Sequence, residues 1–348
     1  MDERRIQKFI GSLKGVDGCL LENPADLLYL TGLSVSRGRF WATPEGGKLF
    51  VDGRYYEEAK KEAPCPVFLF DEFTKEKGKR AGFDSAFVTY EGFLNLQKLD
   101  KEWIPISRPL KKIRMIKEAK EIEELRRAAQ LTWKGYQKIL SLLREGVSEI
   151  ELALEFEMYC RKNGASGLSF DPIIAFGKNS AFPHYRAGQA RLEKGQVILV
   201  DVGAIVNRYR GDMTRTYFFG EKDAKLELFE ECVKRAHDAA IDSIRPGVVL
   251  GELDRVVRKE FEKMGLESLF IHSLGHGIGL ETHEYPLLRK NGEDQDLILE
   301  PGMVFTIEPG LYQPGLGGVR LEDMILVTKN GCENFFDRDI LSPTYAQL

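Results

Sequence analysis

Beyond residue 119, apolar residues return at every third or fourth position: Ile122, Leu125, Ala129, Trp133, Tyr136, Leu140 and Leu143. That period puts them on one face of a long amphipathic helix. Ser148 and Glu151 have the spacing of a capping box that opens a second helix, with Gly164 as its stop. Two further helices are expected, from about Ala224 to Ile244 before Pro246, and from about Leu250 to Met264 before Gly265. The front of the chain has a different rhythm. The runs GRFWAT, KLFVD and PVFLF read as strands and alternate with helical stretches such as YYEEAKKEA up to about Arg108, the pattern of a small α/β unit. The basic segment RPLKKIRMIK reads as a linker, so we expect one domain over residues 1–118 and a second over 119–348.

Two later segments carry polar residues inside apolar runs. In QVILVDVGAIVNRYRGDMTRTYFFG a hairpin turning near Val206 and Asn207 sets Asp201 opposite Asp212. In MVFTIEPGLYQPGLGGVRLEDMILV a loop rich in Gly and Pro joins two strands and sets Glu308 opposite Glu322. Like charges facing each other across a ladder destabilise it, and burial makes the repulsion worse. A cation is therefore expected between the acids. The alternative is that they face solvent, as on a half-exposed sheet.

Composition narrows the classes of function. The 348 residues suit about two domains, and 43% hydrophobic content suffices for sizeable cores. Net charge is −4, with Lys and Arg interspersed among Asp and Glu, which argues against a nucleic-acid partner. MDERRIQKF lacks the apolar core of a signal peptide, and no apolar run approaches a membrane span, so a cytoplasmic protein without a membrane partner is expected. The five cysteines are scattered without a CxxC pair and read as reduced and structural.

Three of the five histidines crowd into HSLGHGIGLETHE, at His272, His276 and His283, and glycines flank the middle one. Four carboxylates would be balanced by two divalent cations, and His276 adds an imidazole. That donor set favours Mn, Co, Zn or Fe(II) over calcium or magnesium and leaves the choice among them open. Two such ions can activate water and polarise a carbonyl, as amide hydrolysis requires. Period-2 alternation places Thr214 beside Asp212, Thr306 beside Glu308 and Arg320 beside Glu322, as donors that would orient the acids, although β-propensity alone explains the threonines nearly as well.

With the order Asp201, Asp212, His276, Glu308, Glu322 in view, the chain resembles the pita-bread metallopeptidases, the family of methionine aminopeptidase, aminopeptidase P and prolidase. The motifs are FPHYR around His184, VDVGA, GDMTRT, HSLGHGIGLETHE, TIEPG and GVRLED, spanning residue 119 to the end. The stretches ENPADLLYLTGL and LFVDGRYYEEA resemble the front domain of prolidase and aminopeptidase P, which methionine aminopeptidases lack. The resemblance implies an α/β (α+β) protein. A creatinase-like N-terminal domain would precede a pita-bread domain with a curved, mainly antiparallel sheet covered by helices.

The resemblance also implies roles. Asp201 would hold one metal, Asp212 and Glu322 would bridge two, and His276 and Glu308 would complete the other shell. Glu308 would also shuttle a proton. His184, His272 and His283 would bind substrate, with one of them steadying the tetrahedral intermediate, and Arg320 would belong to the catalytic set. Two divalent ions, manganese foremost, proline-containing peptides and a homodimer follow from the same resemblance. The expected activity is hydrolysis of Xaa-Pro bonds at peptide N-termini, as an Xaa-Pro aminopeptidase or a prolidase. The compact GVRLEDM segment leans slightly to the former. Methionine aminopeptidase activity and a non-catalytic scaffold of the same fold stand as alternatives.

Overall fold

The computed structural model describes residues 3–336. The chain divides into two compact units, Met1–Arg114 and Met115–Leu348. The first holds a six-stranded mixed sheet whose spatial order is Val67–Leu69, Gly46–Val51, Gly38–Thr43, Gly18–Leu21, Arg80–Asp84, Glu102–Ile106. The central Gly18–Leu21 strand is buried throughout because the sheet is covered on both faces. Leu20, Trp41, Phe50 and Phe73 close the core on one side.

The second unit starts inside the segment expected to be a linker. Lys111–Met115 is a short helix, Leu110, Ile113, Met115 and Lys117 are buried, and residue 116 bridges to Met303. The basic residues concealed three apolar positions, Leu110, Ile113 and Met115, that are buried.

The expected helices form over Ala119–Leu140, Glu149–Lys162, Ala224–Ser243 and Leu250–Glu262. At the Glu149–Lys162 helix, the Ser148 backbone N–H donates to Glu151 Oε2 at 2.7 Å, so the capping box is present. Gly164, with φ 101°, follows the Asn163 C-cap. Among the described residues, no helix is long and apolar enough to cross a membrane. All five cysteines are free thiols.

The helices cover antiparallel strands. Ile173–Phe176, Gln196–Val202 and Met213–Phe219 make one sheet, with Gln196–Val202 in the middle. The other has the order Glu284–Leu288, Gly275–Gly277, Val304–Ile307, Asp323–Val327, Cys332–Asn334. Phe229, Val257, Phe261 and Phe305 pack under the latter, while Tyr136, Phe156, Ile198 and Val200 pack under the former.

The hairpin register corrects one expectation. Asn207 and Arg208 take the positive φ values of the turn, 45° and 77°, and Val206 pairs with Tyr209. Asp201 therefore pairs with Thr214, and Asp212 lies across from Gly203. The turn sits one position further along than the apolar pattern suggested, because Val206 is still a paired strand residue. A change of two in partner number keeps the face, so Asp201 and Asp212 remain on the same side of the sheet. In the other hairpin Ile307 pairs with Asp323 and Gly310 with Arg320, and this register puts Glu308 across from Glu322.

Gly203 is required by close approach. A Cβ there would lie 2.1 Å from the Gly211 carbonyl oxygen, which belongs to the facing backbone. Gly203→Ala should therefore cost about 1–3 kcal/mol. It should lower the melting temperature by several degrees in a calorimetric scan, and an unchanged transition would show that the strands separate freely.

Candidate metal centre

His276 sits on a three-residue strand between two glycines because neighbouring backbones leave no room for side chains. A Cβ at Gly275 would lie 2.0 Å from the Thr306 carbonyl oxygen, and one at Gly277 would lie 2.4 Å from that of Tyr285. The strand is thus clamped from both sides. The His276 backbone N–H donates to Thr306 Oγ1 at 3.1 Å, so this threonine holds the main chain that carries the imidazole.

Asp212, His276 and Glu322 each offer a ligand atom within 4.8 Å of the others, and all three are buried. The His276 Nε2 lies 3.7 Å from both Asp212 Oδ2 and Glu308 Oε1. Its Nδ1 faces the Gly277 carbonyl oxygen at 3.1 Å, which can only accept, so Nδ1 carries the proton. Burial, then the neighbouring His283, pushes the His276 pKa down to about 3. The ring is neutral and turns its lone pair toward carboxylates. That arrangement is repulsive unless a cation lies between them.

The acids give the same indication. Burial first, and then Glu322 and Asp201, hold the Asp212 carboxyl well above its usual range. Burial and Glu322 do so for Glu308, and burial and Asp201 raise Glu322 to about 8. Asp201 is raised chiefly by burial although Arg320 pulls it the other way, and its Oδ1 has no hydrogen-bond partner. An unsatisfied carboxylate oxygen in a buried cluster fits a ligand atom.

Arg320 donates from Nη2 to Asp201 Oδ2 at 2.6 Å, from Nε to Thr214 Oγ1 at 3.0 Å and from Nη1 to the Tyr312 hydroxyl at 2.7 Å. Thr214 in turn donates to Glu322 Oε2 at 2.6 Å. The donor therefore reaches Glu322 across the fold and not its chain neighbour Asp212. The His272 Nδ1 proton is given to the Ser273 carbonyl at 2.7 Å, so Nε2, 2.9 Å away, accepts from the Tyr312 hydroxyl. His272 thus lines the cavity with both nitrogens engaged, and burial lowers its pKa to about 4.

His184 and His283 also line the cavity, which encloses about 340 Å³ together with Phe170, Ile173, Pro183 and Tyr185. Glu149 holds the His184 loop. One oxygen accepts from the Phe176 N–H and Asn179 Nδ2, both at 2.9 Å, and the other from the Tyr185 hydroxyl at 2.9 Å and the Gly188 N–H at 3.1 Å. The rings of His283 and His276 stand 4.0 Å apart.

Sequence reasoning missed Tyr312, Glu149 and Asp323. Period 2 along Glu308, Gly310, Tyr312 puts Tyr312 on the acid face, a signal that was readable. Asp323, on the opposite face from Glu322, pairs with Arg215 at 2.7 Å, and Arg215 also donates to the Glu322 carbonyl at 2.7 Å. His237 lies buried 3.3 Å from Asp323.

Comparison with known proteins adds what geometry leaves open. Residues 123–329 match the model of metallopeptidase family M24, and residues 5–116 match the creatinase/prolidase N-terminal domain. The chain is 34% identical over 341 residues to an Xaa-Pro dipeptidase of Pyrococcus furiosus, covering 95% of this chain and 97% of that one. The chain belongs to metallopeptidase family M24. Among solved structures, the Xaa-Pro dipeptidase from Bacillus anthracis superposes with a TM-score of 0.92 at 36% identity, covering 98% of each chain. The X-Pro aminopeptidase from Thermotoga maritima gives 0.85 at 31% identity, covering 95% of this chain and 97% of that one. The M24 chain thus has the two-part architecture of a creatinase-like domain followed by a pita-bread domain. As a family of metallopeptidases, M24 implies divalent metal ions, and the buried donors around Asp212, His276 and Glu322 fit them.

Raised carboxyl pKa values set the pH dependence of the metal-free protein. A carboxyl whose folded pKa lies above its unfolded value binds more protons when folded, so its contribution declines as pH rises toward the folded pKa. Neutral His272 and His276 act the other way, and only below about 6.5. The metal-free melting temperature should therefore fall between pH 7 and 9, the window that contains the Glu322 value of about 8. Manganese, or Glu322→Gln, should flatten the profile. A flat profile in the metal-free wild type would mean that the acids ionise without penalty.

Proposed function

We propose that this chain is a two-metal Xaa-Pro peptidase. The observation that carries the reading is the convergence of three buried acids, the half-buried Glu308 and one imidazole lone pair on a single cavity. The names of the relatives supply the proline preference. Asp201, Asp212, His276, Glu308 and Glu322 are the residues assigned to hold two divalent ions, with manganese first and Co, Zn or Fe as the other choices.

When bound, such ions lower the pKa of a water and polarise the scissile carbonyl. Glu308, whose proton affinity is raised by desolvation and by Glu322, would take a proton from the attacking water in its ionised form and, once protonated, pass it to the departing proline nitrogen. His184 and His283, on the cavity wall, are assigned to the substrate and to the oxygen that becomes negative. His272 is assigned to hold Tyr312, and through it Arg320 and Asp201. An Xaa-Pro amide has no N–H to give to a sheet edge, and polarising its carbonyl does not require one. Homodimeric assembly is part of the proposal on family resemblance.

Dipeptides are the first substrates to test, because relatives from Pyrococcus and Bacillus are named Xaa-Pro dipeptidases. The Thermotoga structure, named an aminopeptidase, favours a second reading in which longer peptides are cut as well. An Xaa-Pro dipeptide, a longer Xaa-Pro peptide and a Met-Ala peptide, each assayed with Mn or Co, separate these activities. Turnover of Met-Ala alone would favour methionine aminopeptidase. Metal content without turnover of any peptide would favour a binding scaffold.

Two variants probe the ions and the chemistry, with metal content measured in both because Glu308 is assigned to each. Asp212→Asn should lower metal occupancy and activity together, since a shared negative charge is lost. Glu308→Gln should lower kcat by about 10²-fold or more with a much smaller change in KM. An unchanged kcat would remove Glu308 from proton transfer, and full occupancy of two metals in Asp212→Asn would remove the shared role.

A further inference from the structure

The basic segment that reads as a linker places a lysine inside the second unit. The Lys117 ammonium lies 2.9 Å from Glu284 Oε1, with the two side chains only 1% and 6% exposed. Glu284 directly follows His283, and its carboxylate fills the space beside Gly279, where a Cβ would stand 2.6 Å from Oε1. Its other oxygen faces the Glu281 N–H at 3.4 Å, and the Gly279 N–H donates to the Glu281 carbonyl at 3.1 Å. The carboxylate therefore sits within the turn that presents His283 to His276.

Lys117 is itself fixed by its backbone. Its N–H donates to the Gly302 carbonyl at 2.8 Å, and residue 116 bridges to Met303, just ahead of the Val304–Ile307 strand that leads to Glu308. One residue thus joins the strand that leads to Glu308, through the main chain, to the turn that carries His283, through the side chain. A buried carboxylate without its cation would have to move toward water or take up a proton, and either response releases the turn.

We propose that Lys117, through its ion pair with Glu284, is a positioning residue that sets the His283 imidazole against His276 and the substrate cavity. The pair acts on substrate and not on metal retention, because neither partner belongs to the residues assigned to the ions. The inference rests on the peptidase reading for its kinetic test, and a spectroscopic test stands apart from that reading.

Lys117→Met should leave metal content after dialysis at the wild-type level. It should reduce kcat/KM on an Xaa-Pro dipeptide by about 10-fold to 100-fold, the scale of a misplaced contact. Lys117→Arg, which keeps the cation, should recover most of the loss. In a His283→Ala background the same Lys117→Met change should have no further effect, because the influence runs through His283. Equal losses in both backgrounds, or a lower melting temperature with unchanged kcat/KM, would assign the pair to fold stability alone and overturn the proposal. Glu284→Gln carries the same cycle if Lys117→Met does not fold. With five histidines in the chain, ring-carbon NMR of zinc-loaded protein can follow each imidazole. The His283 signal should shift in Lys117→Met or Glu284→Gln while that of His237 stays, and an unmoved His283 signal would overturn the proposal even if the wild type cleaved no Xaa-Pro bond.

Discussion

Four carboxylates line one cavity, three of them buried and Glu308 half-buried, and their mutual repulsion is the constraint around which the second unit is organised. Burial alone disfavours each charge, and each neighbour adds to the effect, so Asp212 and Glu308 sit well above the normal carboxyl range. Arg320 offsets part of this through Asp201, and Thr214 satisfies one oxygen of Glu322. The remaining deficit is what divalent ions would fill. Such a site gains affinity for cations at the expense of the stability of the empty fold.

Holding like charges together requires a rigid frame, and the frame is made from backbone. Two hairpins bring the acids to the cavity, and an unusually close strand presents the imidazole. Glycines at 203, 275 and 277 permit approaches that any side chain would block. Arg215, between Asp323 and the Glu322 carbonyl, ties one hairpin to the other from the face opposite the acids. Asp323 is held below the usual carboxylate range although burial, the largest single effect, opposes its charge, because Arg215, His237 and Asn334 together favour the ionised form.

The histidines that line the cavity stand on less regular segments, and buried glutamates secure two of them. Glu149 gathers four donors around the loop that carries His184. Glu284 occupies the turn behind His283 and meets Lys117. Around His184 one carboxylate stands in for a ladder of main-chain bonds, whereas behind His283 the Glu284 carboxylate adds to the strand pairing of Glu284 with Gly277. A loop can then be as well positioned as a strand while leaving its imidazole open to the cavity.

Local pattern and spacing carried much of this. A 3.6-residue period marks the Ala119–Leu140 helix, cap and stop residues such as Ser148, Glu151, Gly164, Pro246 and Gly265 mark the other three, and the acids that interrupt apolar runs point to a cation. Those signals are local, since helix faces and strand alternation repeat within a few residues. What lay beyond the sequence depends on register and on distant partners. Whether Asp201 faces Asp212 or Thr214 turns on the placement of one two-residue turn, and apolar spacing is indifferent to a change that preserves the face. Thr214 serves Glu322, 108 positions away, and not its neighbour Asp212, because adjacent strands bring them together. Lys117 looked like part of a solvated basic linker. It became a buried cation only because the carboxylate that receives it comes from a turn far along the chain, and no local period encodes that meeting.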